Sequence, residues 1–188
     1  MNKKLFFVSI PIVIGPYLAL FALATIFFST KLPFFRWTME EVFCGNALYL
    51  VAAMLIFCVL VVVWSGIISF VSVYKKWDAL SVAKTAMIIK LAQIPAYVSI
   101  FVLGVLLVTG IFTIPFAIGL FVLDCLFVLM TGLLVISAVV ISIRNDRHTF
   151  NELFWIVLLQ FVFCGDVIAS ILLYRKLKRS NSGNVPVK

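Results

Sequence analysis

The stretch "AYVSIFVLGVLLVTGIFTIPFAIGLFVLDCLFVLMTGLLVISAVVISI", residues 96–143, carries one charged side chain, Asp124. A helix rises about 1.5 Å per residue, and the hydrocarbon core of a bilayer is about 30 Å thick. One crossing therefore takes roughly 20 residues, and this stretch is too long for one. Gly and Pro turn signals in its middle occur in "TGIFTIPF", residues 109–116. A tight hairpin there yields two spans, near 88–111 and 115–143.

Working outward, the rest of the chain has the same character. Of its 188 residues 65% are hydrophobic and 12% charged, with a mean hydropathy of +1.26. Such a chain cannot cover a soluble domain with polar surface. The expected fold is an all-α polytopic integral membrane helix bundle of about five apolar helices, with no soluble domain. Residues 1–179 form its single membrane domain, and 180–188 a disordered polar tail. The remaining spans are expected near 5–28, 47–74 and 150–174. The first follows Lys3 and Lys4, and its apolar run exceeds a signal core of about 7–15 residues, so it reads as uncleaved. Pro11 and the Gly15-Pro16 pair remove backbone donors in it, and neighbouring helices can satisfy the freed carbonyls. Ser65 and Ser69 bracket Gly66 on the second span, a small-residue face that permits close helix approach.

The connecting segments carry start signals. Thr38 with Glu41 fits a capping box opening a short interfacial helix, 38–44, and Thr149 with Glu152 a second one opening the fifth helix. Asp78 suits an N-cap for a helix starting at Ala79. In "KKWDALSVAKTAMIIKLAQIP", residues 75–95, Lys84 and Lys90 point about 120° apart, so no single polar face exists. Both are expected to snorkel to one interface.

The net charge is +8. The basic residues flank apolar segments, as lipid-interface anchors do: Lys75 and Lys76 with Trp77, then Arg175, Lys176, Lys178 and Arg179. Anionic headgroups are the expected partners, and nucleic acid is not. With a cytoplasmic N-terminus, five crossings divide the 15 Lys and Arg as 8 inside and 7 outside; a C-terminal tail on the inside makes it 13 against 2. Residues 150–174 therefore cross fully, or enter and return near Cys164-Gly165, or lie in the interface. Length favours a crossing and the charge rule opposes it.

Asp124 and Asp166 are the acids inside apolar segments. A charge at the bilayer centre costs about 2.5–3.5 kcal/mol on insertion scales, so such residues are paired, neutral or beside a wet cavity. If the fifth helix crosses, both acids lie roughly 12–13 Å from the outer side, at about 1.5 Å per residue. Facing carboxylates can share a proton or hold a cation; a structural hydrogen bond between helices is the plainer role. Cys44, Cys58, Cys125 and Cys164 form no CxxC pair and read as small apolar residues. His148, with Asp146 and Glu152, reads as part of a solvated loop. No HExxH motif or phosphate-cradling glycine loop is present, and neither cofactor nor metal is expected.

Two stretches, "IPFAIGLFVLDCLFVLMTGL" (114–133) and "LQFVFCGDVIASILLYRKLK" (159–178), resemble small multi-span membrane proteins of Gram-positive bacteria, over roughly residues 85–179. That resemblance implies a bacterial cell membrane and no particular activity. Two functional readings are open. One is a non-enzymatic subunit or modulator of a membrane assembly, binding other membrane proteins or further copies of itself. The other is a transport or channel component using Asp124 and Asp166 for protons or cations.

Overall fold

The computed structural model describes residues 3–109, 114–145, 149–160 and 165–183. Among these residues the protein is all-helical, with no strand. Helices α1 (Lys3–Val8) and α2 (Ile10–Phe28) form the first span. A short α3 (Pro33–Trp37) and a π-helical turn (Thr38–Val42) lead to α4 (Ala47–Tyr74). Then come α5 (Ala79–Val108), α6 (Ile114–Arg144), α7 (Phe150–Leu159) and α8 (Gly165–Gly183). Four segments are long and apolar enough to cross a membrane: Leu5–Phe28, Ala47–Tyr74, Ala79–Val108 and Ala117–Arg144. The protein is a multi-pass membrane protein. Helices satisfy their own backbone polar groups, which a lipid solvent requires.

The four spans alternate in direction around α6, whose Phe127, Met130, Leu134 and Ile141 are fully enclosed. Helix α4 meets α6 through its small-residue face, where the Ser65 hydroxyl donates to the Met130 carbonyl. The turn expected at 109–116 falls mostly outside the described residues. Phe101 and Asp124, and further along Val108 and Ala117, line one space between α5 and α6, so these helices are antiparallel neighbours.

Prolines open backbone acceptors, and neighbouring helices fill them. Pro16 lacks the N–H that would reach the Ile12 carbonyl, and the Gln93 amide donates to that oxygen at 2.6 Å. The first span also breaks at Ser9, and the Val8 carbonyl accepts from the Trp64 indole at 2.9 Å. Pro95 lacks the N–H that would reach the Leu91 carbonyl, and the Tyr17 hydroxyl donates one residue further on, to the Ala92 carbonyl. Three bonds to backbone carbonyls thus pin these helices together, and the one at Ile12 fills the gap that Pro16 leaves.

Asp78 caps α5 as expected, its carboxylate accepting from the Ser81 N–H at 3.0 Å. The two capping boxes do not form. Thr38 lies inside a helical stretch that Pro33 already opened, and its hydroxyl donates back to the Phe34 carbonyl. Thr149 is the N-cap of α7, yet its side chain makes no cap bond. The helical stretch around Thr38 ends at Cys44 and Gly45, both left-handed, with Asn46 capping α4 through the Leu48 N–H. The expected tail from residue 180 is also revised, because α8 continues through Gly183.

The main correction concerns 150–174. It is not one helix but the pair α7 and α8, packed antiparallel. Glu152 at the start of α7 pairs with Lys176 on α8 at 3.2 Å, while Gln160 at the end of α7 lies beside Asp166 at the start of α8. Ten residues of α7 reach only about 15 Å at ~1.5 Å per residue, half of a ~30 Å core. The pair starts and ends on one side of the bundle, because Glu152 and Lys176 meet there. This puts Arg175, Lys178 and Arg179, all exposed, on the face that carries Lys75 and Lys76.

That geometry predicts that a reporter fused after Lys188 reads on the same side of the membrane as one in the 75–78 loop, and opposite to one at 30–32. A second prediction concerns the proline pins. Gln93→Leu strands the Ile12 carbonyl and costs about 1–3 kcal/mol of stability. In a Pro16→Ala background the restored N–H takes that carbonyl, and thermal melts of the four variants will show the Gln93→Leu cost fall by at least half.

Candidate functional site

The site begins with Lys90, which is 0% exposed and lies eleven residues into α5. At ~1.5 Å per residue it sits about 16 Å from the start of that helix, beyond the reach of a snorkelling lysine. The expectation that Lys90 reaches the interface is therefore overturned, whereas Lys84, nearer the helix start, is half-exposed. A lone buried ammonium is prohibitively costly, so Lys90 must find acceptors inside. It finds them where the two halves of the hairpin meet. Its Nζ donates to Gln160 Oε1 at 2.6 Å, to Asp166 Oδ2 at 3.0 Å and, at 3.4 Å, to the Asp166 carbonyl. Those three contacts use the three donors of the ammonium.

Helix ends strengthen this arrangement. Gln160 is the C-cap of α7, where partial negative charge accumulates, and it holds the cation. Asp166 is in the first turn of α8, where partial positive charge accumulates, and its Oδ1 accepts from the Val167 N–H at 2.7 Å. Broken helices whose ends meet near mid-membrane are a recurring way of holding charge inside a bilayer.

The polar path continues along α5. Gln93 and Tyr97 follow Lys90 at i+3 and i+7 and share its face. The Tyr97 hydroxyl donates to Gln93 Oε1 at 3.1 Å, while the Gln93 amide makes the Ile12 pin. The spacing Lys90-Gln93-Tyr97 is legible in the sequence, but comparing Lys84 with Lys90 alone conceals it.

Asp124 lies ten residues into α6, about 15 Å from its start at ~1.5 Å per residue. It approaches mid-depth from the opposite face to the hairpin. Asp124 and Asp166 therefore line one cavity of about 610 Å³ between α5, α6 and α8, although 150–174 does not cross. Their meeting was expected only for a crossing helix, and the reason for the difference is plain: the hairpin reaches as deep from one side as α6 does from the other. The two acids are unlike. Asp166 is 3% exposed and fully engaged. Asp124 is half-buried, and its Oδ1 is enclosed with no hydrogen-bond partner.

The remaining candidates lie elsewhere. Trp77 and Lys176 are half-buried, with Lys75, Lys76, Arg175, Lys178 and Arg179 exposed near helix ends. Lys176 is engaged with Glu152 through both its carboxylate and, at 3.1 Å, its backbone carbonyl. Cys58 is buried, Cys44 and Cys125 are exposed and free, and Cys164 and His148 lie outside the described residues. No group of three or more His, Cys, Asp or Glu suited to a metal occurs among the described residues.

A buried ion pair is sensitive to losing one member and tolerant of losing both. Lys90→Met or Asp166→Leu alone will each cost about 3–5 kcal/mol, by leaving an uncompensated charge. The double variant will recover most of that loss in detergent thermal melts, and additive costs would exclude the pair as drawn. Comparison with family models, curated proteins and solved structures finds none that matches this chain.

Proposed function

We propose that this protein is a non-enzymatic component of cation or proton transport in the cell membrane, with Asp124 as its exchanging group. The observation that carries the reading is the Asp124 carboxylate, whose Oδ1 is enclosed without a partner on the wall of a cavity at mid-membrane depth. Burying an acceptor of this kind without a donor is costly, and an ionised carboxylate more so. A proton or a cation removes that cost, and its departure restores it. Intramembrane acids facing a cavity serve such pathways in membrane proteins generally.

The Lys90–Asp166 pair has a different part. It is already neutral in sum and holds the start of α8 at the cavity. Two acids and one ammonium leave one negative charge, and it belongs to Asp124. Of the two readings open from the sequence, transport is the one this geometry favours, because a purely structural acid would be bonded across a helix interface. Asp166 is so bonded and Asp124 Oδ1 is not.

The test is dissipation of an imposed pH gradient in liposomes containing the purified protein, followed with a trapped pH-sensitive dye. Asp124→Asn will slow it at least tenfold while the helical circular dichroism and melting temperature hold, and Asp124→Glu will retain it. A wild-type protein that leaves the gradient intact, or an Asp124→Asn variant as active as wild type, would refute the proposal.

A further inference from the structure

A proton needs no room, yet the space beside Asp124 is large. The cavity of about 610 Å³ falls in the range of sites that enclose an organic molecule. Its walls are almost wholly apolar, formed by Ile94, Val98 and Phe101 of α5, Val128 of α6 and Val167 and Ile168 of α8. Val98, Phe101 and Ile168 are each more than half exposed, so the mouth opens sideways through the helix surface rather than at an aqueous end. At mid-depth, what lies outside such a mouth is acyl chain.

A second space of about 410 Å³ adjoins the first, and Phe101 and Asp124 line both. It runs between α5 and α6 towards Val108 and Ala117. From Asp124 to Ala117 is seven residues, about 10 Å at ~1.5 Å per residue. With Asp166 paired to Lys90, Asp124 is the acid left to balance in an apolar groove that reaches from mid-membrane to the end of the α5–α6 pair. The charge of the site sets the complement: one cation that brings its own hydrogen-bond donors, attached to an apolar body. Tyr97 and Phe101 add aromatic rings beside that position, which suits an ammonium further.

We infer that this groove binds a single-chain alkylamine in its ammonium form, entering sideways from the bilayer, with the ammonium on Asp124 and the chain between α5 and α6. The inference rests on the reading of Asp124 as the cation-binding group and names the substrate class. An aminophospholipid fits less well, because its ammonium is tied to a phosphate at the membrane surface while Asp124 lies near the middle.

The experiment is equilibrium binding of radiolabelled decylamine to the purified full chain in phosphatidylcholine nanodiscs. Wild type will bind saturably, and excess unlabelled decylamine will displace the label where decanol, with the same chain and no charge, does not. Asp124→Asn will weaken binding at least tenfold, and Asp124→Glu will keep it within a few-fold. Val98→Trp, at the exposed mouth, will also weaken binding at least tenfold without touching the acid, which guards against a folding defect in the Asp124 variants. Non-saturable binding, equal displacement by decanol, or undiminished binding in Asp124→Asn would overturn the inference. If wild type dissipates the pH gradient through Asp124 yet binds no decylamine, the substrate class is wrong and the transport reading stands. If it does neither, both fall.

Discussion

The ion pair between Lys90 and Asp166 is the constraint on which the rest of this structure depends. A lysine eleven residues into a membrane helix cannot reach water, so a counter-charge has to reach the lysine. The hairpin of α7 and α8 delivers it. Its depth is matched to its purpose: about half a bilayer, enough to bring Gln160 and Asp166 to Lys90 and no further. Such a pair adds little net stability over well-packed apolar side chains. What it supplies is position. The end of α7 and the start of α8 are held at one level on α5, and the end charges of both helices agree with the side chains placed there.

The same economy of polar groups runs through the four spans. Prolines in a membrane helix expose carbonyls that no water can reach. Here Gln93 supplies a donor to the Ile12 carbonyl that Pro16 frees, and Trp64 and Tyr17 bond the nearby Val8 and Ala92 carbonyls across helices. With little hydrophobic drive between helices in lipid, interhelical hydrogen bonds and close small-residue contacts set which faces meet. Gln93 joins both systems, since it pins α2 to α5 and receives the Tyr97 hydroxyl one turn from Lys90. The packing of the first span and the geometry of the site are therefore mechanically linked.

Much of the architecture is legible in the sequence because length and apolarity report directly on the bilayer. The four spans, the Asp78 cap and the need to satisfy proline-freed carbonyls all follow from local patterns. Residues 150–174 are different. Apolar length alone favours a crossing, while the basic cluster from Arg175 to Arg179 argues against one. The deciding fact is a pairing across 76 residues, Lys90 to Asp166, which no local pattern encodes. Reading Lys90 by depth rather than by helical angle points to an internal partner, and Asp166 is one of two acids available inside apolar segments. The Thr38 capping box misled for a related reason: a Thr–x–x–Glu pattern marks a helix start only where no earlier residue has begun the helix, and Pro33 had; the Thr149 pattern did mark the start of α7, without the side-chain bond.

The partition of charge in the cavity says more than the presence of charge. If both acids were engaged, the site would be closed and structural; if neither were, the cost of enclosing two carboxylates would exceed what a small bundle tolerates. One engaged acid beside one unengaged acid is the arrangement in which a single charge can come and go without loosening the fold. The bound lysine also acts on the second acid at a distance, because in a low-dielectric interior the neutralised Asp166 repels an ionised Asp124 far less than a bare carboxylate would. On the transport reading, Asp124 can change partners because Asp166 is already engaged. On that reading, the pinned end of α8 forms one fixed side of the site and the laterally open α5–α6 groove forms the other.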